Sequence, residues 1–386
     1  YKNESKLYLN KFTIFLGIFY FSTLISTLLN FSSFDWDKSG LFYFRIPLFA
    51  LAIWYLLSNS KIDKKKNISF YAIFFSIIVI DSLWQFYTGK NFLGYELRFD
   101  RVSSFFDDEL VLGGFLQKIL PIFLIYLVLN DLINENKNYI IWLVLISFVI
   151  LIIYLSGERT SFFLTTLYFV LTFLLVKTLR RFFFFLKIIK VIIILVNSLF
   201  KNFNNINPAD RMFFKTFHQI TGYSKYVEQI EPTKILIFSE DHNQHYTLAS
   251  KIIVDHFILG TGVRGFRKLC RNKTYILNNV IDGCSTHPHN FYVQIFTSNG
   301  VIGFVLILTA LIYIIYQIVL CRKKINLKKN VNKYHLAELL ILISILVNMW
   351  PFVPSGNFFN NWLSMAFFYP VGYYLYFNNK NAKKIS

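Results

Sequence analysis

Apolar residues in this chain come in long unbroken runs, separated by short tracts that are polar or basic. A helix of about 20 apolar residues crosses the hydrocarbon of a bilayer. Ten runs reach that length alone or with their flanks: 12–29, 41–57, 68–87, 111–130, 138–155, 161–176, 182–200, 291–320, 335–350 and 358–377. They predict an all-α polytopic membrane protein of about ten transmembrane helices. One connection is out of proportion. Residues 201–290 are too long for a turn and too mixed in composition to cross a membrane. The expected organisation is an N-terminal bundle of seven spans over 1–200, a helical loop domain over 201–290 and a C-terminal bundle of three spans over 291–386. Within the loop, Asn207 to Tyr226 and Tyr246 to His256 read as short helices, the second followed by a helix stop and flexible turn at Ile258-Leu259-Gly260-Thr261-Gly262.

Composition strengthens this reading. Of 386 residues 55% are hydrophobic and 16% charged, with a mean hydropathy of +0.47, more apolar mass than one water-soluble core holds. The net charge of +19 would raise nucleic acid as a partner of a soluble protein. Here much of it lies in the tracts between apolar runs. On the ten-run map 20 Lys and Arg fall on the side of both termini and five in the short loops opposite. By the positive-inside rule the termini are expected in the cytoplasm and the 201–290 loop outside it. Membrane lipids, not nucleic acid, are the expected partners of the basic residues. The chain opens on Tyr1, so a signal peptide is not judged from it.

Six of the seven histidines fall within 201–290, which concentrates candidate polar chemistry in one loop away from ATP. The most specific string is Thr286-His287-Pro288-His289-Asn290, followed after nine residues by Gly300-Val301-Ile302-Gly303. Imidazole is suited to taking a proton from a hydroxyl near neutral pH. A lone histidine there would equally serve as a helix cap or a headgroup anchor.

The pattern His-Asn-x9-Gly-x-x-Gly from His289 to Gly303 resembles the O-antigen ligase and polymerase superfamily, bacterial inner-membrane enzymes that move glycans from a polyprenyl pyrophosphate. The likeness extends to Gly260-Thr-Gly262-Val-Arg264-Gly-Phe266-Arg267, to Ser156-Gly-Glu-Arg159-Thr-Ser161 and to Arg101-Val-Ser-Ser-Phe-Phe, and so takes in residues 95–305. Many members carry an arginine at the start of the helix before the Gly-x-Gly turn. This chain has His242-Asn-Gln-His245-Tyr246 there, which leaves open which group handles the phosphates.

The resemblance implies a GT-C-like helical membrane glycosyltransferase that needs neither metal nor cofactor. The implied donor is a polyprenyl-pyrophosphate-linked glycan. The acceptor would be the lipid A core in a ligase or a second lipid-linked glycan in a polymerase, with ligase slightly favoured. It also implies a catalytic set of His289, Arg159 and Arg264, with Arg98, Arg101, Arg267, His242, His245, His287 and Asn290 contacting substrate. Guanidinium suits that task because it engages two phosphate oxygens at once, although any one of these arginines would also serve as a headgroup contact.

Other constellations carry less. His242-x-x-His245 and His287-x-His289 could gather zinc with a cysteine, but the spacings match no structural-zinc set. Asp107-Asp108-Glu109 reads as the N-cap of a helix starting at 110. Cys270 and Cys284 are expected to form a disulfide beside His287 and His289, and Cys321 to stay reduced. Arg45, Asp81, Lys118 and Glu338 are ionisable groups inside the apolar runs. Asp81 is the one whose position argues for a cavity, since Arg45 and Lys118 lie near run ends and can snorkel. The rivals from other classes are a flippase, which would want broken helices and charges near mid-membrane, and a glycan-binding scaffold without catalysis.

Overall fold

The computed structural model describes residues 10–30, 39–59, 64–132, 139–180, 209–214, 216–217, 239–275, 283–326 and 332–382. Among them the chain is all-helical and carries no strand: α1 (Lys11–Leu29), α2 (Arg45–Asn59), α3 (Lys64–Thr88), α4 (Leu112–Leu129), α5 (Tyr139–Leu155), α6 (Arg159–Leu175), α7 (Glu240–Asp255), α8 (Gly265–Leu269), α9 (Phe291–Asn326), α10 (Lys333–Asn348) and α11 (Asn361–Ala382). The expected run 182–200 lies outside the described residues, as does most of the expected helix at 207–226, of which Asp210–Phe214 forms a π-helical turn.

Four helices among the described residues are long and apolar enough to cross a membrane: Lys11–Leu29, Lys66–Thr88, Leu112–Leu129 and Phe291–Ile325. Arg45–Asn59, Tyr139–Leu155 and Arg159–Leu175 are apolar but shorter. The runs had suggested ten spans. Of these, α2, α5 and α6 are 15, 17 and 17 residues long, and run 182–200 lies outside the described residues, so the described residues do not confirm ten.

The described residues fall into two compact units. One comprises 1–56, 236–316 and 349–372, the other 57–235, 317–348 and 373–386. In the second, α4 is apolar on every face and therefore sits at the centre, packed against α3, α5, α6 and α10. Its N-terminus is not capped by Asp107-Asp108-Glu109, as the sequence had suggested. The helix begins two residues later, and the Glu158 carboxylate accepts from the Gly113 and Gly114 amides at 2.7 and 3.1 Å. A Cβ on Gly113 would stand 2.4 Å from Ser156 Oγ and 3.0 Å from a Glu158 oxygen, whereas one on Gly114 would meet nothing closer than 3.2 Å. Asp81 is fully buried. It accepts from Ser104 Oγ at 2.5 Å and the Phe92 amide at 3.0 Å, so it ties down the 89–106 loop. Glu338 is similarly engaged by Asn378 and Asn381 at 3.0 and 2.6 Å.

In the first unit α7 and α8 enclose a small core of Leu248, Ala249, Ile252, Phe266, Cys270 and Tyr275. A disulfide joins Cys270 to Cys284. Closing that loop contributes ~3 kcal/mol in the chain-entropy account.

The defining feature of this unit is a break in α9. Gly300 leaves helical geometry with φ 63° and ψ −163°, and the backbone groups freed there are taken up by the turn after α7. Thr261 and Gly262 amides donate to the Thr297 and Ser298 carbonyls, each at 2.9 Å, and the Val301 amide donates to the Phe257 carbonyl at 2.8 Å. From α1, Ser26 Oγ donates to the Ser298 carbonyl at 2.5 Å and accepts from the Gly262 amide at 3.0 Å. Asn299 Nδ2 reaches Thr23 Oγ1 at 2.7 Å. The Gly260–Gly262 segment is thus a pinned brace and not the flexible turn its composition had suggested.

Candidate active site

The four loop histidines 242, 245, 287 and 289 converge in the first unit. Ring centroids of His287 and His289 are 4.2 Å apart, and His289 lies 5.1 Å from His245 and 5.5 Å from His242. Local structure brings them there from two directions. Ser239 caps α7, so His242 and His245 sit in its first turns, and the Ser239 hydroxyl also meets His242 Nδ1. The disulfide and Gly283, whose backbone passes close to Gln244, lay the 283–290 segment along the start of α7. The Gly283 carbonyl then engages His245 Nδ1 at 2.7 Å. A carbonyl only accepts, so that nitrogen carries a proton.

The histidines differ in how far the scaffold uses them. His287 is buried, at 7% exposure, and both of its ring nitrogens are occupied: Nδ1 meets Thr286 Oγ1 at 2.9 Å and Nε2 meets the Ser355 carbonyl at 3.3 Å. Both nitrogens are thus held by the scaffold in this structure. Asn290 is likewise consumed. Its Oδ1 caps α9 by accepting from Tyr292 and Val293, while Nδ2 donates to the Pro351 and Val353 carbonyls. His289 is half-buried, and among the described residues no hydrogen bond engages its ring. Its backbone is left-handed, φ 52°, and its carbonyl accepts from the Ser355 amide at 2.7 Å. A non-glycine residue held in that region costs on the order of 1 kcal/mol and marks sites where orientation matters.

The cluster is electrostatically self-repelling. Burial, then His287, His245 and His242, push His289 down to about 3. Burial, then the neighbouring imidazoles and the Arg267 charge, push His287 down to about 4 against the Ser355 hydrogen bond. Both rings are therefore neutral near pH 7, which leaves the lone pair of His289 available.

Arg264, the N-cap of α8, and Arg267 within it are exposed, and the Arg267 charge acts on His287. Arg98, Arg101 and Arg159 belong to the other unit. Arg101 donates Nε to the Ser156 carbonyl at 2.7 Å and Nη2 to the Leu110 carbonyl at 3.1 Å, bracing the loop that presents Glu158 and Arg159. That commitment argues against the substrate contact expected of it. Arg98 is exposed and faces Asp108 at 3.9 Å. Arg159 is exposed at the first turn of α6 and donates to Thr216 Oγ1 at 3.2 Å. Glu158 carried no assigned role in the motif. Its burial raises its proton affinity against Ser161, Arg101 and the Gly113 amide, and the glycine pair at 113–114 was the signal for its position. Ser26 and Thr23 were also missed; they are two of four neighbouring hydroxyl residues on α1 (Ser22, Thr23, Ser26, Thr27), and these two are the buried ones. No three His, Cys, Asp or Glu among the described residues are grouped to hold a metal ion.

Residues 142–308 match the family described as O-antigen ligase. Over that segment, under half of its length, the chain is similar to O-antigen ligases. The match takes in Arg159, the Gly260–Gly262 brace, all four clustered histidines and the Gly300–Gly303 pair, and leaves Arg98 and Arg101 outside it. Beside this similarity, four of the described helices are long and apolar enough to cross a membrane. No curated protein matches the chain.

The depressed histidines should make the fold of the first unit acid-sensitive. The unfolded chain takes up protons near pH 6.5 that the folded cluster refuses until about 4 or 3. Stability is therefore complete above about 6.5 and is lost as pH falls toward 4, by up to ~1.4 kcal/mol per pH unit for a fully buried imidazole and less for half-buried His289. Thermal unfolding of the purified protein should show a midpoint that falls on acidification, and His287→Gln should flatten that slope. A midpoint independent of pH across this window would contradict the arrangement.

Proposed function

We propose that the protein transfers an oligo- or polysaccharide from polyprenyl pyrophosphate to an acceptor hydroxyl at the periplasmic face of the bacterial inner membrane, as an O-antigen ligase. His289 accepts the proton of the acceptor hydroxyl, the oxygen bonds to the anomeric carbon, and the pyrophosphate leaves with its electron pair. Arg264 and Arg159 are each assigned to stabilise its charge, a task to which guanidinium is suited. The free energy is that of the activated linkage, and no metal or cofactor enters. The reading extends to ten spans with both termini cytoplasmic and residues 201–290 periplasmic, supported by the distribution of Lys and Arg.

The observation that carries it is the His289 ring. Inside the matched segment it is neutral, unengaged by described residues, and placed among groups that are themselves tied to the scaffold. A donor diphosphate beside four imidazoles reverses their mutual repulsion and moves His289 toward the working range of a base. The break in α9 is a feature a flippase would share, but its backbone groups are taken by the Phe257–Gly262 segment, which argues for a fixed site over a moving gate.

Reconstituted protein given a polyprenyl-pyrophosphate glycan and either lipid A core or a second lipid-linked glycan tests this reading. Arg159→Ala should lower transfer ~10²-fold. Undiminished transfer would remove its role, transfer to the lipid-linked glycan alone would make the protein a polymerase, and glycan crossing the bilayer without transfer would make it a flippase.

A further inference from the structure

Exposed side chains after α7 sort by position. Val254, Phe257 and Ile258 are 74%, 50% and 64% exposed, whereas the exposed residues at 271–274 are Arg, Asn, Lys and Thr. Three large apolar groups facing water within five residues are unfavourable at about 25 cal/mol per Å². What covers them follows from the level at which this turn is held.

Phe291–Ile325 is 35 residues long, which at about 1.5 Å per residue far exceeds a hydrocarbon core of about 30 Å. Only part of it lies in the bilayer. Residues 301–321 contain no charged side chain, and Arg322-Lys323-Lys324 follow at once. That stretch matches one crossing, so the membrane portion of α9 begins at the Gly300 break and Phe291–Gly300 stands beyond it. The Val301 amide, first in the crossing, donates to the Phe257 carbonyl at 2.8 Å, and a Cβ on Gly300 would lie 2.1 Å from the Ile258 carbonyl oxygen. The backbone of the turn is therefore level with the start of the crossing, where Ile302 and Val305 are themselves 42% and 53% exposed. Lys251 and Arg264, exposed on either side of the turn, are suited to the phosphates of the headgroup layer.

We infer that Val254, Phe257 and Ile258 insert into the bilayer leaflet on the histidine side, so that the loop carrying the cluster is a monotopic lipid anchor as well as a site, with phospholipid acyl chains as its occupant. The inference needs α9 to cross a bilayer and is independent of the proposed chemistry and of which leaflet faces the cytoplasm.

Nitroxide labels on Val254→Cys and Ile258→Cys, with the protein in phosphatidylethanolamine/phosphatidylglycerol vesicles, test it through collision with oxygen and with a water-soluble nickel chelate. Val305→Cys is the lipid reference and Thr274→Cys the aqueous one. Native cysteines do not interfere, because Cys270 and Cys284 are bridged and Cys321 is buried. Labels at 254 and 258 should follow 305, accessible to oxygen with nickel collisions several-fold below those at 274. Nickel access equal to that at 274 would overturn the inference, as would exclusion of both reagents, which would mean a protein segment covers the patch. Val254 lies at the exposed end of α7, so its label reports even if a change at Ile258 disturbs the turn.

Discussion

Gly300→Ala is expected to abolish recovery of folded protein, and Gly260→Ala to come close to it. At Gly300 the new methyl would meet the Ile258 carbonyl oxygen at 2.1 Å and its carbon at 2.3 Å. At Gly260 it would meet Ser298 C and the Asn299 amide nitrogen at 2.4 and 2.5 Å. These are backbone atoms on both sides. They cannot rotate away, and moving them apart breaks the bonds from Thr261, Gly262 and Val301 that satisfy the helix break. Both positions also have positive φ, 63° and 70°, which adds ~1 kcal/mol or more for alanine. Strain at a special backbone position combined with lost buried hydrogen bonds belongs to the class of changes that exceeds about 4 kcal/mol. Gly17→Ala is the control: a Cβ there meets nothing within 4 Å, and alanine in that helix should gain roughly 0.5–1 kcal/mol. Detergent-extracted yield and unfolding temperature measure all three. A Gly300→Ala protein that melts with wild type would mean the two glycine motifs do not pack against each other.

The helices were legible because a segment that must satisfy its backbone in lipid has to be apolar for most of its length, and that leaves a trace no loop imitates. The partnership of the glycine motifs was not. Gly260 and Gly300 are 40 positions apart, and a spacing pattern reports that a backbone approaches something closely without reporting what. The same limit separates the arginines. Arg101, Arg159 and Arg264 look alike in the sequence, yet only the fold commits Arg101 to the Ser156 and Leu110 carbonyls. Among the clustered histidines the sequence placed chain positions but not rings. His287 and His289 stand two apart on a turn, and which one the scaffold consumes depends on the Ser355 carbonyl, 68 residues away from His287. The capping expectation at 107–109 failed for a related reason. A nearby carboxylate is the usual cap, but Glu158, 45 residues from Gly113, reaches the helix start first.

His289→Asn should leave the fold intact and lower kcat for glycan transfer ~10²–10⁴-fold, the span typical of a lost general base. Asparagine is the informative replacement. The backbone at 289 has φ 52°, a conformation Asn tolerates better than Ala, so the variant removes the imidazole without unseating the Ser355 contact to the His289 carbonyl. Because the proton is accepted only as the acceptor oxygen attacks, the loss belongs in kcat with KM for the donor little changed. His287→Asn separates position from chemistry. It forfeits the Thr286 and Ser355 hydrogen bonds and should lower the unfolding temperature together with activity, whereas the His289 variant should lose activity alone. Rate measured against pH gives the third discriminant. In wild type kcat should rise to a plateau as His289 loses its proton in the donor complex, and the residual rate of the Asn variant should lack that limb. A headgroup anchor at 289 would predict the opposite pattern, an unchanged kcat and an unchanged pH profile.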